Sequence, residues 1–353
     1  MAGGTHIVVA GAGAIGSVVG FMLARAGHGV TVIDPALVGS NASGVAAGML
    51  APGFETLFDP ASSDHYALLA EARDLWPALA DEIGLPLARD GTVAIGTQDE
   101  VEAWAARLLA LGADARLIAP GSEPELFPPG AWTVFTSGDW RLDPAEALAA
   151  LRQAAERFGA RFVAGRVLGF DGRAVEVEGA APIPAERLVL ATGAARDLAR
   201  LAPELETLTP IKGHILRAAG AFAAAPVIRA GGVYLCRAAA EVVLGASMEP
   251  GLTDIRVDPA VVQRLLDAAA PLLAPLRPLD WRATSGVRGA TPDGLPLVGE
   301  TGATGVVLAV GARRNGWLLA PLVAEVVLDL VEGRAMRAAA RAFDPTRLAT
   351  APG

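Results

Sequence analysis

The chain has 353 residues, 52% of them hydrophobic and 19% charged, which is the composition of a globular protein long enough for two domains. Its formal net charge is -9 and it has no run of Lys or Arg, so nucleic acid is a poor partner on electrostatic grounds. With Cys236 as the single cysteine no intramolecular disulfide can form, and four histidines without paired spacing predict no metal site. We therefore expect a cytoplasmic protein.

The N-terminal segment predicts a βαβ unit. Residues 6–10 form a continuous apolar strand, as in a parallel sheet covered on both faces, and apolar residues then recur at helical spacing up to Gly27. A second strand, residues 30–33, ends at Asp34. The uncharged residues 7–24 also suggest a membrane span or signal sequence, but three glycines within six positions would weaken such a helix. We predict no transmembrane segment.

The segment Gly11-Ala-Gly13-Ala-Ile-Gly16 joins the first strand to the first helix with the spacing of a dinucleotide-binding turn. Gly11 would permit the tight turn, Gly13 the approach of the backbone to a pyrophosphate, and Gly16 the close packing of helix on strand. The helix N-terminus favours phosphate, and Asp34 can accept hydrogen bonds from both ribose hydroxyls. A glycine-rich turn without a ligand is the alternative.

A loop of small residues, Ser43-Gly-Val-Ala-Ala-Gly48-Met49-Leu-Ala-Pro52, follows the second strand. Its backbone could pack closely against a flat ring system, which would favour a flavin over a nicotinamide dinucleotide. On composition alone, the loop is equally typical of a crossover connection.

The middle of the chain predicts further elements of both kinds. Asp143 followed by Pro144 is typical of a helix start, and this helix should run to about residue 158. Residues 175–178 alternate in polarity and predict an antiparallel meander on the flank of the main sheet. Residues 188–191 predict a short buried strand.

From about residue 210 the pattern becomes that of a separate antiparallel layer. Residues 233–237 and 241–246 predict a hairpin, a helix should begin at Pro259, and residues 281–287 alternate as a further strand. No internal repeat is found.

The α/β pattern returns after Arg288, with a strand at residues 306–310 and a helix at 317–332. We therefore predict an α/β (α+β) fold in which a discontinuous Rossmann-like domain holds an inserted antiparallel-sheet substrate domain. The first domain takes residues 1–85, 140–205 and 286–345, the second takes 86–139 and 206–285, and 346–353 form a tail.

Six segments occur in the order found in a known family. They are the glycine-rich turn, the small-residue loop, Leu190-Ala-Thr-Gly193, Pro210-Ile-Lys-Gly213, Asp293-Gly-Leu-Pro-Leu-Val-Gly299 and Arg314-Asn-Gly316. Over nearly the whole chain they resemble the D-amino-acid oxidase superfamily of FAD-dependent oxidoreductases, and most of all its glycine oxidases, which serve thiamine biosynthesis.

The resemblance implies a non-covalently bound FAD and the oxidative deamination of a small amino acid or amine, such as glycine, sarcosine or a small D-amino acid. The products would be an imine, then a 2-oxo acid, with oxygen as acceptor and hydrogen peroxide released. Sarcosine oxidases and D-amino acid dehydrogenases share most of these motifs, so the exact amine and a quinone in place of oxygen stay open. The sequence also leaves open the oligomeric state, a homo-oligomer included.

The same resemblance assigns site residues. It implies that no side chain acts as acid or base, because hydride passes from the α-carbon to the flavin. Substrate contacts fall to Arg288, Tyr234, Met248 and Arg314. FAD contacts fall to Gly11, Gly13, Ala14, Ile15, Gly16, Asp34, Pro35, Ala42, Ser43, Ala47, Gly48, Met49, Val167, Thr192, Gly193, Arg314, Asn315, Gly316, Trp317 and Leu318.

The residues themselves support part of this assignment. An arginine in an apolar block such as that around Arg288 needs an anionic partner, and a guanidinium matches a carboxylate with two hydrogen bonds. A structural salt bridge is the alternative for Arg288, and core packing is the alternative for Tyr234 and Met248. Ala312 and Arg313 stand where the family usually has a histidine and an aromatic residue, which leaves room, or adds positive charge, beside the flavin and suits a larger substrate.

Two functions of other classes stay open at this stage. One is a nicotinamide-dependent reductase, and the other is a non-catalytic dinucleotide-binding protein. A serine hydrolase is not supported, since no G-x-S-x-G turn is present.

Overall fold

The computed structural model describes residues 5–36, 39–122, 131–220, 226–238, 240–273 and 280–348. The strands are β1 His6–Ala10, β2 Gly29–Asp34, β3 Met49–Leu50, β4 Thr92–Gly96, β5 Arg116–Ile118, β6 Trp132–Thr136, β7 Trp140–Arg141, β8 Arg161–Ala164, β9 Val167–Phe170, β10 Ala174–Val177, β11 Ile183–Pro184, β12 Arg187–Leu190, β13 Thr209–Ala219, β14 Val227–Ala230, β15 Val233–Ala238, β16 Glu241–Gly245, β17 Glu249–Pro250, β18 Arg282–Ala290, β19 Leu297–Glu300 and β20 Val306–Val310. The helices are α1 Ala14–Arg25, α2 Ala42–Val45, α3 Pro52–Phe58, α4 Tyr66–Asp74, α5 Trp76–Ile83, α6 Gln98–Ala110, α7 Pro144–Arg157, α8 Pro259–Leu273, α9 Gly316–Glu332 and α10 Ala338–Phe343, with 3₁₀ turns at Pro60–Ser62, Pro203–Thr207 and Pro345–Leu348.

The main sheet has the order β19-β20-β12-β1-β2-β8, and only the β19–β20 pair in it is antiparallel. Its strands are apolar on both sides because both faces are covered. Ile7 and Val9 face a core with α1, α7 and α9, whereas Val8 and Ala10 face a second core under the three-stranded sheet β11-β10-β9. The predicted βαβ unit and the flanking meander are confirmed.

Local signals set the ends of the helices in this layer. Asp143 Oδ1 accepts hydrogen bonds from the backbone N–H groups of Ala145 (2.9 Å) and Glu146 (3.1 Å), so α7 begins where the sequence predicted. In α1, a Cβ on Gly20 would lie 2.8 Å from a methyl of Val32, so glycine lets this helix pack closely on the sheet.

The second large sheet has the order β17-β13-β16-β15-β14-β4-β6-β5, and β18 pairs with β13. Helix α8 covers one face, where Leu265 packs with Leu235 and Leu244. The predicted hairpin (β15 and β16) and strand β18 are confirmed. The domain division stays a prediction. Strands β4 to β6 join this sheet, and β18 runs across the proposed boundary at residue 285.

Within the described ranges, none of the helices combines the length and the apolar character needed to span a membrane. The same residues contain no group of three or more His, Cys, Asp or Glu side chains arranged to hold a metal ion.

Candidate active site

The glycine-rich turn lies where β1 meets α1, beside the end of β12. Gly11 has φ +110°, and a Cβ on it would collide with the carbonyl oxygen of Ala191. A Cβ on Gly16 would collide with the carbonyl of Gly11, and one on Gly13 would lie 3.0 Å from Ser43 Oγ. The turn therefore depends on glycine for backbone contacts that any other residue would block.

Asp34, at the end of β2, has a fixed orientation. Its Oδ2 accepts a hydrogen bond from the Ala12 N–H (2.6 Å) and its Oδ1 accepts one from the Ala36 N–H (2.7 Å). Each carboxylate oxygen can accept a second hydrogen bond, so both remain able to bind ribose hydroxyls.

A cleft of small residues runs from this turn toward α9. Gly286 allows β18 to approach α2, because a Cβ there would lie 2.9 Å from the Cα of Ala42. At the far end, Trp317 Nε1 donates to the Ser43 carbonyl (3.0 Å), and Ser43 Oγ accepts from the Ala14 N–H (2.9 Å). The lining is Gly13, Ala14, Ile15, Ala42, Ser43, Ala46, Ala191, Gly193, Val287, Arg288, Gly289, Ala309, Val310, Gly311, Ala312, Arg313, Arg314, Gly316 and Trp317.

This cleft fits a dinucleotide that carries a flat ring. The N-termini of both α1 and α9 border it, and each directs a partial positive charge into the cleft, which favours the binding of anionic groups. Because most of the side chains are small, the backbone is exposed along the wall where a flat ring would lie.

Some predicted FAD residues lie outside this lining. Leu318 is fully buried in the main core, and the side chain of Val167 packs in the second core, so either could contact FAD only through its backbone. Val167 is nevertheless near the ribose end, because the neighbouring Gly165 N–H donates to the Asp34 carbonyl (3.1 Å). The Thr192 hydroxyl donates a hydrogen bond to the Ala195 carbonyl (3.4 Å). Their roles stay predictions.

A larger cavity of about 560 Å³ adjoins the cleft and shares Ala46, Arg288, Arg314 and Trp317 with it. The structure brings all four predicted substrate residues to its wall. The lining is Ala46, Ala47, Gly48, Met49, Glu55, Phe58, Ile95, Glu100, Trp104, Ile215, Arg229, Ala230, Gly231, Gly232, Val233, Tyr234, Ala246, Met248, Arg288, Arg314 and Trp317.

Tyr234 stands on the floor of this cavity. It lies opposite Gly245 in the β15–β16 pair, and a Cβ on Gly245 would collide with the phenol oxygen, so that glycine makes room for the ring. Burial raises the pKa of Tyr234 to about 12, so the phenol keeps its proton at neutral pH and can donate a hydrogen bond.

Arg288, on β18, lies over the neighbouring strand. Its guanidinium occupies the space above Gly213 of β13, where a Cβ would come within 2.6 Å of Nη2. Nη1 contacts Met248 Sδ (3.4 Å), and burial lowers the pKa of Arg288. Across the described ranges no carboxylate forms an ion pair with Arg288, so the alternative of a structural salt bridge is not found there.

The sequence did not indicate Glu55 or Arg229. Glu55, in α3, is buried, with Oε1 2.9 Å from Arg229 Nη2 and Oε2 2.9 Å from Arg314 Nε. Burial alone would raise the pKa of Glu55, but Arg314 and Arg229 hold it below its usual value. A glutamate in the first turn of a short helix is typical of an exposed position, so no local signal marks this one as buried.

Arg313 corrects one expectation from the sequence. It adopts φ 50° and forms an ion pair with the buried Asp59, so its charge is neutralised and adds no free positive charge beside the flavin site. Ala312 is buried, and Asn315 Nδ2 contacts Ser62 Oγ (3.3 Å), which joins the start of α9 to the segment after α3.

The arrangement can bind an anion at Arg288 beside a protonated phenol. Two carboxylates line the cavity within the described chain, and neither is placed to take a proton. Glu55 is held between two arginines, and Glu100 accepts from Thr97 N and Oγ1, both at 2.8 Å. Chemistry here would therefore rest on a cofactor and on positioning rather than on a side-chain base.

The family model described as DAO, FAD dependent oxidoreductase, matches residues 6–330. A glycine oxidase of Geobacillus kaustophilus (strain HTA426) is 32% identical, with 92% of each chain covered. A bifunctional protein ThiO/ThiG of Trichormus variabilis is 30% identical over 92% of this chain and 52% of its own length. The crystal structure of glycine oxidase from Geobacillus kaustophilus, 30% identical, superposes with a TM-score of 0.85 over 97% of this chain and 99% of that one.

Proposed function

Because the chain belongs to the DAO family of FAD-dependent oxidoreductases, we propose that it oxidises glycine or another small amino acid and passes the electrons to oxygen, with release of hydrogen peroxide. The coarser activity, FAD-dependent oxidation at a CH–NH₂ group, is that of the family and of its glycine oxidase members. A role in making the thiazole of thiamine is part of the proposal and is supported by the likeness to glycine oxidases and to a ThiO/ThiG protein.

One observation carries the choice of an amino acid over a plain amine. Arg288 lines the cavity beside Tyr234, and no carboxylate of the described chain pairs with it. A half-buried guanidinium without an anionic partner is a ready site for a substrate carboxylate, which it can bind through two parallel hydrogen bonds.

In this mechanism the chain binds and orients. Arg288 would hold the carboxylate over Gly213, and the Tyr234 phenol would donate to the same end of the substrate. The glycine-rich turn, Asp34 and Ser43 would hold the dinucleotide. Bound FAD supplies the two-electron acceptor for the α-C–H bond. Holding the α-carbon against that acceptor would account for much of the expected rate enhancement, because the entropy cost of bringing the two reactants together is then already met on binding.

The test uses the purified yellow protein with glycine, sarcosine and D-alanine. Under nitrogen each good substrate should bleach the flavin absorbance, and in air each should give hydrogen peroxide in step with the 2-oxo acid. Bleaching under nitrogen with no peroxide in air would contradict the oxidase and favour a quinone-linked dehydrogenase. No bleaching with any amine would contradict amine oxidation itself.

A further inference from the structure

Besides Arg288, the cavity wall carries two further arginines, Arg229 and Arg314, whose charge glycine would leave unused. We infer that the cluster of Arg229, Glu55 and Arg314 binds a second acidic group, so that the preferred substrate is an amino acid with an anionic side chain. The inference rests on the proposed function and specifies its substrate class.

The position of Arg229 follows from the register of the sheet. Arg229 on β14 lies opposite Tyr234 on β15, Tyr234 lies opposite Gly245 on β16, and Gly245 lies opposite Ile215 on β13. Directly paired residues share a face of the sheet. Arg229 therefore stands on the cavity face, on the same row as Tyr234.

Arg288 reaches the same face from the other side. Its guanidinium lies over Gly213, two residues before Ile215 and so on the same face of β13. Strands β14 and β13 are three positions apart in the sheet, which corresponds to about 14 Å between strand axes. The long arginine side chains shorten that gap, so the site suits an acid whose two anionic ends are separated by a short carbon chain.

The cluster has more donors than acceptors. Arg229 Nη2 donates to Glu55 Oε1 (2.9 Å) and contacts Met49 Sδ (3.2 Å), while Arg314 Nε pairs with Glu55 Oε2 (2.9 Å). One carboxylate between two guanidinium groups leaves an excess of one positive charge.

One nitrogen of Arg229 also has no hydrogen-bond partner. Its side chain is 7% exposed, and its Nε is buried with no hydrogen-bond acceptor in the part of the chain that the structure describes. Buried donors without acceptors are disfavoured, and a ligand oxygen on the cavity side of this guanidinium would add an acceptor beside it.

Two further carboxylates bear on this charge, and Asp139 offsets part of it because it interacts electrostatically with Arg229. Asp139 is absent from the lining, and its oxygens accept from the backbone N–H groups of Gly53 (2.8 Å) and Phe54 (3.1 Å). Glu100 lines the cavity, but it is exposed and its carboxylate is bound to Thr97.

Apolar side chains fill the rest of this side. Phe58, Ile95 and Trp104 line it, and they would enclose the methylene groups of an extended substrate. An apolar wall with a few convergent polar groups is the usual form of a small-molecule site.

The test measures binding to the holoenzyme by calorimetry, with glutarate and its monoamide as a matched pair of amine-free probes. The two differ only in one end, which is anionic in glutarate and neutral in the amide. Glutarate should bind at least about tenfold more tightly, as expected for one charged hydrogen-bonded contact.

Variants of Arg229 and Glu55 test whether these residues cause the difference in affinity between glutarate and its monoamide. In Arg229→Met the ratio of the two dissociation constants should fall to about one, and in Arg229→Lys part of it should return. In Glu55→Gln the ratio should rise, because a competing carboxylate is gone. Each ratio is taken within one preparation, so partial loss of folded protein does not change it, and if Arg229→Met fails to fold the other two variants still decide.

A ratio near one in the unaltered enzyme would overturn the inference, as would a large ratio that Arg229→Lys and Glu55→Gln leave unchanged. The same preparation is assayed for flavin reduction by both enantiomers of glutamate as well as by glycine, sarcosine and D-alanine. Reduction with a binding ratio near one would leave the proposed function intact and refute only the acidic substrate class. A large ratio without reduction by any amine would refute the proposed function instead.

Discussion

Gly213 is the residue whose identity the structure explains best. The segment Pro210-Ile-Lys-Gly213 resembles the family, but the sequence gave no physical reason for its glycine. Gly213 lies inside the long strand β13, where no turn requires a glycine. The reason is the guanidinium of Arg288, which occupies the position that a side chain at 213 would need. The glycine of this motif therefore makes room for the side chain of Arg288, which lies 75 residues later in the chain.

The substitution Gly213→Ala tests this relation. Its Cβ would lie within 2.6 Å of Arg288 Nη2, so the guanidinium must move and the proposed binding of the substrate carboxylate should weaken. We expect KM for glycine to rise about tenfold or more, as for loss of a charged hydrogen bond, while the flavin absorbance stays unchanged. Steady-state kinetics give the measurement.

Gly302→Ala is the matched control, because a Cβ there meets nothing within 4 Å. Unchanged KM in Gly213→Ala, at the level of this control, would show that Arg288 is free to shift without loss of binding.

Single residues also mark the limit of what the sequence predicts. Arg288 and Asp34 were predicted because each belongs to a motif or follows a clear strand. Arg229 and Glu55 were not, because their pairing depends on a contact between α3 and β14 across 174 positions of sequence. Neither residue is adjacent to a motif, and burial of a charged pair leaves no local pattern.

At the scale of elements, the predicted and missed segments differ in how they are stabilised. Strands β1 and β20 and helices α1, α7 and α9 carry a continuous or periodic apolar pattern, so the sequence predicts them. Strand β4 instead pairs in parallel with β14, and β6 pairs with β4, so their place depends on partners far away in the chain. Nothing within residues 92–136 specifies that partner.

Helix α3 is an element whose stability should depend on pH. Asp139, from the turn between β6 and β7, accepts hydrogen bonds from Gly53 and Phe54 at its N-terminus. Burial raises the pKa of Asp139 from 3.8 to about 6. The pKa of this carboxyl is higher in the folded than in the unfolded chain. The group therefore stabilises the fold at pH values below its unfolded-state pKa, and this contribution is lost as the pH rises through its folded-state pKa.

The unaltered protein should therefore lose stability relative to Asp139→Asn between about pH 4 and pH 6. We expect the Tm of the variant minus that of the unaltered protein to increase across this window and to level off above it. Thermal unfolding followed by circular dichroism at half-unit steps of pH gives the curve. A constant difference, or one that decreases with pH, would show that Asp139 is not desolvated in this way.

At the scale of the whole molecule, two sheets meet at one continuous space. The parallel sheet supplies the dinucleotide cleft, the large mixed sheet supplies the floor of the cavity, and the two share Arg288, Arg314 and Trp317. The cleft lies at the ends of parallel strands, which is where α/β folds usually bind dinucleotides. Both layers were predicted from the sequence, whereas the contact between them at the shared residues was found only in the structure.

We predict that FAD is bound without a covalent link. The one cysteine, Cys236, is buried in β15, and the cleft lining contains no cysteine or histidine in the described residues. Acid denaturation followed by filtration should place all the yellow colour in the filtrate, and added FAD should raise the Tm of the apoprotein because it binds only the folded state. Colour that stays on the denatured chain would refute the prediction.

We propose that Arg288 selects an amino acid by its carboxylate. The direct measurement compares kcat/KM for glycine and for methylamine in the unaltered enzyme, Arg288→Ala and Arg288→Lys. Loss of one partner of a buried charge pair costs roughly 2–5 kcal/mol, which is about thirty- to several-thousand-fold in specificity. We predict that the preference for glycine is of this size in the unaltered enzyme, largely absent in Arg288→Ala with its flavin absorbance unchanged, and partly restored in Arg288→Lys. Equal oxidation of methylamine and glycine by the unaltered enzyme, or a preference that persists in Arg288→Ala, would contradict the account.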